Sequence, residues 1–517
     1  MQQSSSQAEV VSNGGLYSYI LENIRQSGNK SPEKALFGFI AAWVMLFLTL
    51  YVFKFPVILE EGGGTVVLTA AGQACLAVMV WATIIWLTEA MPIAMTGLII
   101  PALLALTGAV SHIKHAAPAY SAPVALLVLA AFIFSAIMIA SGIDQRVALS
   151  MLKHARIKKV GGVVWTLFGF NLLLSLILPA ANARAAVMLP VVTGIIKLFG
   201  ETEEDRRAKK AIVIQAIVYG AMISGIFIMT AHVPNLIVVG LLAQQNMTVS
   251  YFDWALLQFP YLGMFVLTYF WVRFSLRTGS IKIPGGPDKI ASMHNDLPKM
   301  APQEYVILGI YAFVALLWVT QRHLHNLHTA MAILIGIMVM FAPGVLKLKW
   351  KTIQNNTIWG TWVMLVGALS MSTVMGKSGL AGWLAAYIHP LVGGHEWWGV
   401  LFLVLAGTHF IRIGMLSNIA AITVLAPILM ALAPKLGLHP GAFTMLVANA
   451  DTYAYLMPTQ LTAAVIAYGT GTFSFIDYLK LGWFAVIIAI IYTIVVMVPW
   501  YAFNGIPIWD PSAPWPF

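Results

Sequence analysis

Apolar runs long enough to cross a bilayer recur along the whole chain, with short polar segments between them. A hydrocarbon core of about 30 Å takes roughly 20 residues of helix, and runs near 35–57, 66–88, 92–110 and 122–142 read as spans on that measure. Further spans are predicted at 257–276, 304–320, 329–345, 359–377 and 483–503. Four other apolar stretches are interrupted by small or polar residues. Those at 161–200 and 397–434 read as re-entrant helical hairpins, and those at 211–245 and 441–469 as broken helices. The nine unbroken runs and two broken helices make eleven spans.

The interruptions are duplicated. Ala180-Ala181-Asn182-Ala183-Arg184 through Pro190 and Ser417-Asn418-Ile419-Ala420-Ala421 through Pro427 each follow an apolar run, break, and resume as an apolar helix. In both, the proline falls eight residues after the third position. Two further pairings keep the same order. His232-Val233-Pro234-Asn235-Leu236 corresponds to Leu461-Thr462-Ala463-Ala464-Val465, and Ser250 to Asp253 corresponds to Ser474 to Asp477, each spaced like a capping box. Broken helices in matching halves expose backbone groups at membrane depth, which is where polar ligands bind in transporters.

Composition narrows the class. The 517 residues are 60% hydrophobic and 9% charged, with a mean hydropathy of +0.85, values of a multi-pass integral membrane protein. No cleaved signal peptide is expected, and the lone Cys75 has no partner for a disulfide or metal site. The net charge of +10 does not imply nucleic acid, because the basic residues sit in short loops as the positive-inside rule requires. Loops with Arg146, Lys153, Arg156, Lys158 and Lys159, with Arg206, Arg207, Lys209 and Lys210, and with Lys347, Lys349 and Lys351 are expected in the cytoplasm. The expected organisation is a cytoplasmic segment 1–34, a first transmembrane repeat 35–277, a cytoplasmic linker 278–303, a second repeat 304–503 and an external tail 504–517. Halves that begin on opposite sides form an inverted repeat. The fold class is therefore an all-α polytopic membrane protein, and a bacterial inner membrane is the expected location.

At these residues the chain resembles the divalent anion:sodium symporter family, carriers of dicarboxylates, citrate and sulfate that include sodium-independent exchangers. Trp86-Leu87-Thr88-Glu89-Ala90-Met91-Pro92 through Thr96 is similar to an early family signature, and Met457-Pro458 through Ile466-Ala467-Tyr468-Gly469 to a late one. The resemblance runs from about 35 to 503. It implies substrate and sodium contacts from a Ser-Asn-Thr tripeptide at each hairpin tip, an elevator mechanism and a homodimer. The second tip keeps Ser417-Asn418 but has Ile419, and the first reads Ala180-Ala181-Asn182. Methyl groups offer sodium no oxygen. The resemblance assigns Asn235, Gln460 and Thr462 to the substrate set, and Ser417, Asn418 and Thr459 to a candidate cation site.

Arg184 lies two residues past the first tip, where a fixed charge costs several kcal/mol unless it meets a cavity or counter-ion. Its planar fork suits bidentate recognition of an anion; the alternative is a structural pair with an acid such as Asp451. Asn182, Ser417 and Asn418 offer side chains beside helix N-termini, whose dipoles favour anions, or simply cap those helices. His232 is a candidate anion contact or proton relay, or a structural histidine. Asp451 is a candidate proton relay, or neutralises Arg184 or Arg412. Arg412 either snorkels or pairs with Glu396. The group Arg322, His323, His325 and His328 falls in a short external loop and reads as a solvated connection, not a metal site.

The expected function is secondary transport of a small anionic substrate, by anion exchange or by sodium or proton coupling, with membrane lipid as the surroundings and no resident cofactor. The rival within transport is a channel. An intramembrane enzyme would need a nucleophile and base or a metal cage, and neither His-Glu-x-x-His nor Gly-x-Ser-x-Gly spacing occurs.

Overall fold

The computed structural model describes residues 16–26, 31–59, 64–155, 157–176, 178–285, 288, 299–321, 324–415 and 417–517. Arg156, Arg322 and His323, singled out in the sequence, and much of the expected linker lie outside the described residues. The regular structure of the described chain is helical apart from one two-stranded antiparallel ribbon, Ile58–Leu59 with Thr65–Val66, and isolated bridges at Lys159 with Lys282 and Gln321 with His325. Among the described residues, nine helices are long and apolar enough to cross a membrane, or ten if the pair Leu380–Val392 and Trp397–Ile411 counts as one span. The expected eleven included short runs such as Ile93–Leu106, and this count includes Asn418–Lys435, an arm of the second hairpin.

Three segments differ from the sequence reading. The basic stretch 143–154, expected as loop, is the helix Ile143–His154, because Ile143, Leu149 and Leu152 give it a buried side. The loop at 201–210 is helical from Glu203, started by a capping box in which Thr202 and Asp205 satisfy each other's backbone N–H. Leu380–Val392 is a helix the reading did not include, burying Leu380, Trp383 and Ala386 at one-turn spacing. Two of these follow a shared local device. Gly142 (φ +69°) joins Pro123–Ser141 to Ile143–His154, and Gly379 (φ +78°) joins Trp359–Lys377 to Leu380–Val392. Glycine takes this left-handed turn without a Cβ penalty.

The chain divides into two compact bodies. The first comprises 1–120 and 363–387. In it Pro32–Tyr51 packs against Ala70–Thr88, whose start is capped by Thr69: the hydroxyl accepts from the Gly72 N–H at 2.9 Å and donates to the Ser378 carbonyl at 2.9 Å. Ile93–Leu106 crosses the later part of Trp359–Lys377 at two glycines. A Cβ on Gly367 would lie 2.0 Å from the Gly97 carbonyl oxygen, the close backbone approach that small residues allow between membrane helices.

The second body comprises 121–362 and 388–517 and holds both hairpins and both broken helices. The first hairpin is Val160–Ser175 with Ala181–Ile196, and the second is Trp397–Ile411 with Asn418–Lys435. The first broken helix runs from Glu203 to Phe227, with a π-helical turn at Ile214–Tyr219, and resumes as Val233–Gln244. The second is Pro440–Asp451, resuming as Thr462–Tyr468.

Both predicted Ser-x-x-Asp capping boxes are formed, by Ser250 with Asp253 and by Ser474 with Asp477. The helices they open, Tyr251–Ser275 and Phe475–Phe503, run antiparallel and are tied at three levels. Trp271 Nε1 donates to the Leu481 carbonyl (2.9 Å), the Tyr492 hydroxyl to Pro260 (2.5 Å) and Trp500 Nε1 to Leu256 (2.9 Å). Each indole is half-buried and keeps its N–H satisfied.

Candidate functional site

Four helices in the second body restart after a break, and each restart is built alike. Ala180, Ser417, His232 and Leu461 are the residues before the new helices, and all four are extended, with φ between −142° and −127°. Sequence explains the breaks. Pro179 disfavours helix at Leu178 and ends the first hairpin's first arm. Pro234 and Pro458 enter their helical turns at the first positions, where no N–H is needed. Ser417 caps its helix, accepting from the Ala420 N–H at 3.3 Å; Ala180 has no side chain able to do so.

Side chains tie the interrupted segments internally. Asn235 Nδ2 donates to the Gly225 and Ile228 carbonyls at 2.8 and 3.2 Å, and Gln460 Oε1 accepts from the Met457 N–H at 2.8 Å. Asn235 thus spends its amide donors, and Gln460 its carbonyl oxygen, on backbone that the breaks would otherwise leave unpaired, while Gln460 Nε2 has no hydrogen-bond partner among the described residues.

The two arginines perform equivalent tasks in the two halves. Arg184 is fully buried and donates through Nη1 to the carbonyls of Leu178 (2.8 Å) and Ala231 (2.6 Å), and through Nη2 to Ala221 (2.6 Å). Arg412, also fully buried, donates through Nη1 to Met415 (2.9 Å) and through Nη2 to the Gln460 carbonyl (3.2 Å) and to Asn418 Oδ1. Leu178 and Met415 each lie three residues before the restart of a hairpin, and Ala231 and Gln460 each lie two residues before the restart of a broken helix. One guanidinium thus bridges the same pair of carbonyls in each half, although the arginines come from different sequence positions. Arg412 neither snorkels nor pairs with Glu396, which stands at the far end of Trp397–Ile411; its acid is Asp451 (Nε–Oδ2 3.3 Å), one of the two pairings expected for that aspartate. Among the described residues Arg184 has no acidic partner, so its charge stays uncompensated, and its fork faces carbonyls and not an open anion site.

Asn418 joins the halves. Its Oδ1 accepts from Arg412 and its Nδ2 lies 3.2 Å from His232 Nε2. With Nδ2 donating, Nε2 is the acceptor, a role that belongs to the neutral ring. Hydrogen bonds therefore link the restarts at 181, 233, 418 and 462 in series. Packing of Thr462–Tyr468 on Ala181–Ile196, and of Val233–Gln244 on Asn418–Lys435, completes the arrangement. Four helix N-termini, each with partial positive charge, gather around one locus. Asn182, Thr459 and Thr462 are exposed there, and Ser417 and Asn418 half-buried.

The sequence reading did not include Asn171, whose Nδ2 donates to the Leu167 and Ala216 carbonyls at 3.1 and 2.8 Å. Ala216 lies in the π-helical turn, which frees carbonyls from the regular ladder. No local sequence signal announces a π-turn. His325 and His328 accept backbone N–H groups at 3.2 Å in their own loop.

Similarity to known proteins agrees with this architecture. Residues 41–506 match the family described as the sodium:sulfate symporter transmembrane region. The chain is 27% identical over 435 residues to a membrane protein of Cupriavidus necator, covering 80% of this chain and 84% of that one. It is 26% identical over 506 residues to the sodium-dependent dicarboxylate transporter SdcS of Staphylococcus saprophyticus, covering 93% and 94% respectively. Among solved structures, the YdaH transporter of Alcanivorax borkumensis aligns with a TM-score of 0.56 at 14% identity, over 93% of this chain and all of that one. MtrF of Neisseria gonorrhoeae aligns with a TM-score of 0.57 at 14% identity, over 96% and 100%. These two show a shared fold. With the family matched across most of its length, on helices broken where a polar solute can be held, the chain belongs to the sodium:sulfate symporter family of multi-pass membrane transporters and is not an enzyme.

Proposed function

We propose that this transporter exchanges small dianions, dicarboxylates or sulfate-like anions, held between the hairpin tips, and that Arg184 and Arg412 stand where other transporters of this architecture hold coupling cations. In broken-helix transporters, half-helix N-termini face the anionic substrate while unwound carbonyls hold the cation. The observation that carries the reading is the equivalent pair of carbonyls engaged by one guanidinium in each half. A tethered cation neutralises those carbonyls permanently and cannot be released to drive a cycle. Asn182, Ser417, Asn418 and Thr462 are the side chains placed to meet the anion, with His232 behind Asn418.

Energetics favour exchange. Carrying a dianion into a cell held at −100 mV opposes the field by about 2.3 kcal/mol per charge, or about 4.6 kcal/mol in all. Swapping one dianion for another cancels that cost without a cation. An elevator-type movement of the segment bearing the hairpins, a homodimer, a bacterial inner membrane, a cytoplasmic N-terminus and an external C-terminus complete the reading.

A second reading, sodium-coupled uptake, is favoured by the name of the Staphylococcus relatives and by the retained Ser417-Asn418. Asp451 as a proton relay gives a third coupling, weakened by its pairing with Arg412. Counterflow tests the proposal. Proteoliposomes loaded with succinate, 2-oxoglutarate, citrate, tartrate or sulfate should take up the labelled substrate many times faster than empty ones. Equal uptake by empty vesicles rejects exchange, and release unaffected by external substrate would indicate a channel.

A further inference from the structure

We propose that a cleft at the end of the helix Gly263–Ser275 binds the phosphate headgroup of an anionic phospholipid. The cleft, of about 660 Å³, is lined by Phe270, Arg273, Phe274, Ser275, Arg277 and Gly279. Arg273 is placed across Gly279: a Cβ there would lie 2.8 Å from its Nε and 3.0 Å from its Nη2. Arg277 closes the helix in the left-handed conformation, φ +51°, a position where glycine is the usual residue. Arginine there costs backbone energy and brings a second guanidinium to the cleft.

The charge continues beyond a tight turn, Ile281 N–H to Thr278 carbonyl at 3.3 Å. Residues 157–160 and 281–283 pair as a short antiparallel ladder, through Val160 N–H to Ile281 (3.1 Å) and Ile283 N–H to Lys158 (3.1 Å). Its buried side chains are Ile157, Val160, Ile281 and Ile283, while Lys158, Lys159 and Lys282 face outward. Lys159 and Lys282 are direct ladder partners, and like charges directly opposite destabilise a ladder. None of the five cations makes an ion pair among the described residues. An anion bridging them removes the repulsion. Topology alone asks only for basic residues near this membrane face; it does not ask for two lysines facing each other or for an arginine laid over a glycine.

The occupant is a lipid, because the cations border a strip built for acyl chains. Val266, Phe270 and Phe274 follow one another at four-residue spacing and are 42%, 54% and 80% exposed. Such spacing puts them on one helix face. A free phosphate would use the arginines and leave this strip uncovered.

Native mass spectrometry tests the proposal on the full chain purified from micelles holding equimolar dioleoyl phosphatidylglycerol and dioleoyl phosphatidylcholine. The wild type should retain the anionic lipid at least about tenfold over the zwitterionic one. Arg273→Gln with Arg277→Gln should cut that preference several-fold while elution volume and melting temperature stay unchanged. Equal retention of both lipids by the wild type overturns the proposal, whatever the variant does. So does an undiminished preference in the folded double variant. Loss of the lipid to millimolar inorganic phosphate alone would assign the cleft to a free anion instead.

Discussion

Arg412 and Asp451 form an ion pair with an Nε–Oδ2 distance of 3.3 Å and no exposure of either side chain beyond 1%. Removing one partner of such a pair strands the other charge, which typically costs about 3–5 kcal/mol. Asp451→Asn should therefore lower the melting temperature in detergent sharply, whereas Arg412→Met combined with Asp451→Leu should recover much of the loss without restoring transport. A single variant that melts like the wild type would show that the pair carries no such weight.

Arg184 offers a sharper test of the tethered-cation idea. Arg184→Ala leaves the carbonyls of Leu178, Ala221 and Ala231 without their donor, and each buried orphan costs about 1–3 kcal/mol. Sodium is the smallest replacement. The variant should be stabilised by sodium chloride over choline chloride in a melting assay, and the wild type should respond equally to both.

Asn418 connects Arg412 to His232. Asn418→Ala removes a hydrogen bond to a charged group, worth about 1.5–3 kcal/mol, and uncouples the second tip from the first broken helix. Transport kinetics in proteoliposomes should show the apparent affinity for substrate falling by about tenfold or more, with melting temperature affected less than in Asp451→Asn.

Gly482 and Gly407 separate packing from helix propensity. A Cβ at Gly482 would lie 1.7 Å from the Tyr455 carbonyl oxygen, while one at Gly407 meets nothing within 4 Å. Gly482→Ala forces backbone apart beside the second break and should cost at least the 1–3 kcal/mol typical of overpacking, about 2 kcal/mol or more. Gly407→Ala should leave stability unchanged or raise it by about 0.5–1 kcal/mol. Melting curves of the two variants check both expectations.

The parts legible in the sequence were those written in local pattern. Apolar runs located most of the long helices, the Ser-x-x-Asp spacing located two caps, and the breaks at 180 and 417 stood out because small residues interrupt Leu-rich runs. What stayed hidden depended on distant partners. Arg184 reads as an anion ligand until the carbonyls of Leu178, Ala221 and Ala231 are brought around it by three separate segments. The acid that pairs with Arg412 stayed open among Glu396, Asp451 and none, because Asp451, 39 positions later, has no periodic relation to it. Ile143–His154 was obscured for the opposite reason: its basic residues satisfy the loop-charge rule while its buried side satisfies a helix.

The central claim is that fixed guanidinium groups make a sodium ion unnecessary. It is tested most directly by measuring substrate exchange in proteoliposomes loaded with unlabelled anion, with sodium replaced by choline on both sides of the membrane. The account predicts the same exchange rate in choline as in sodium. Exchange that vanishes without sodium and rises steeply with its concentration would contradict it.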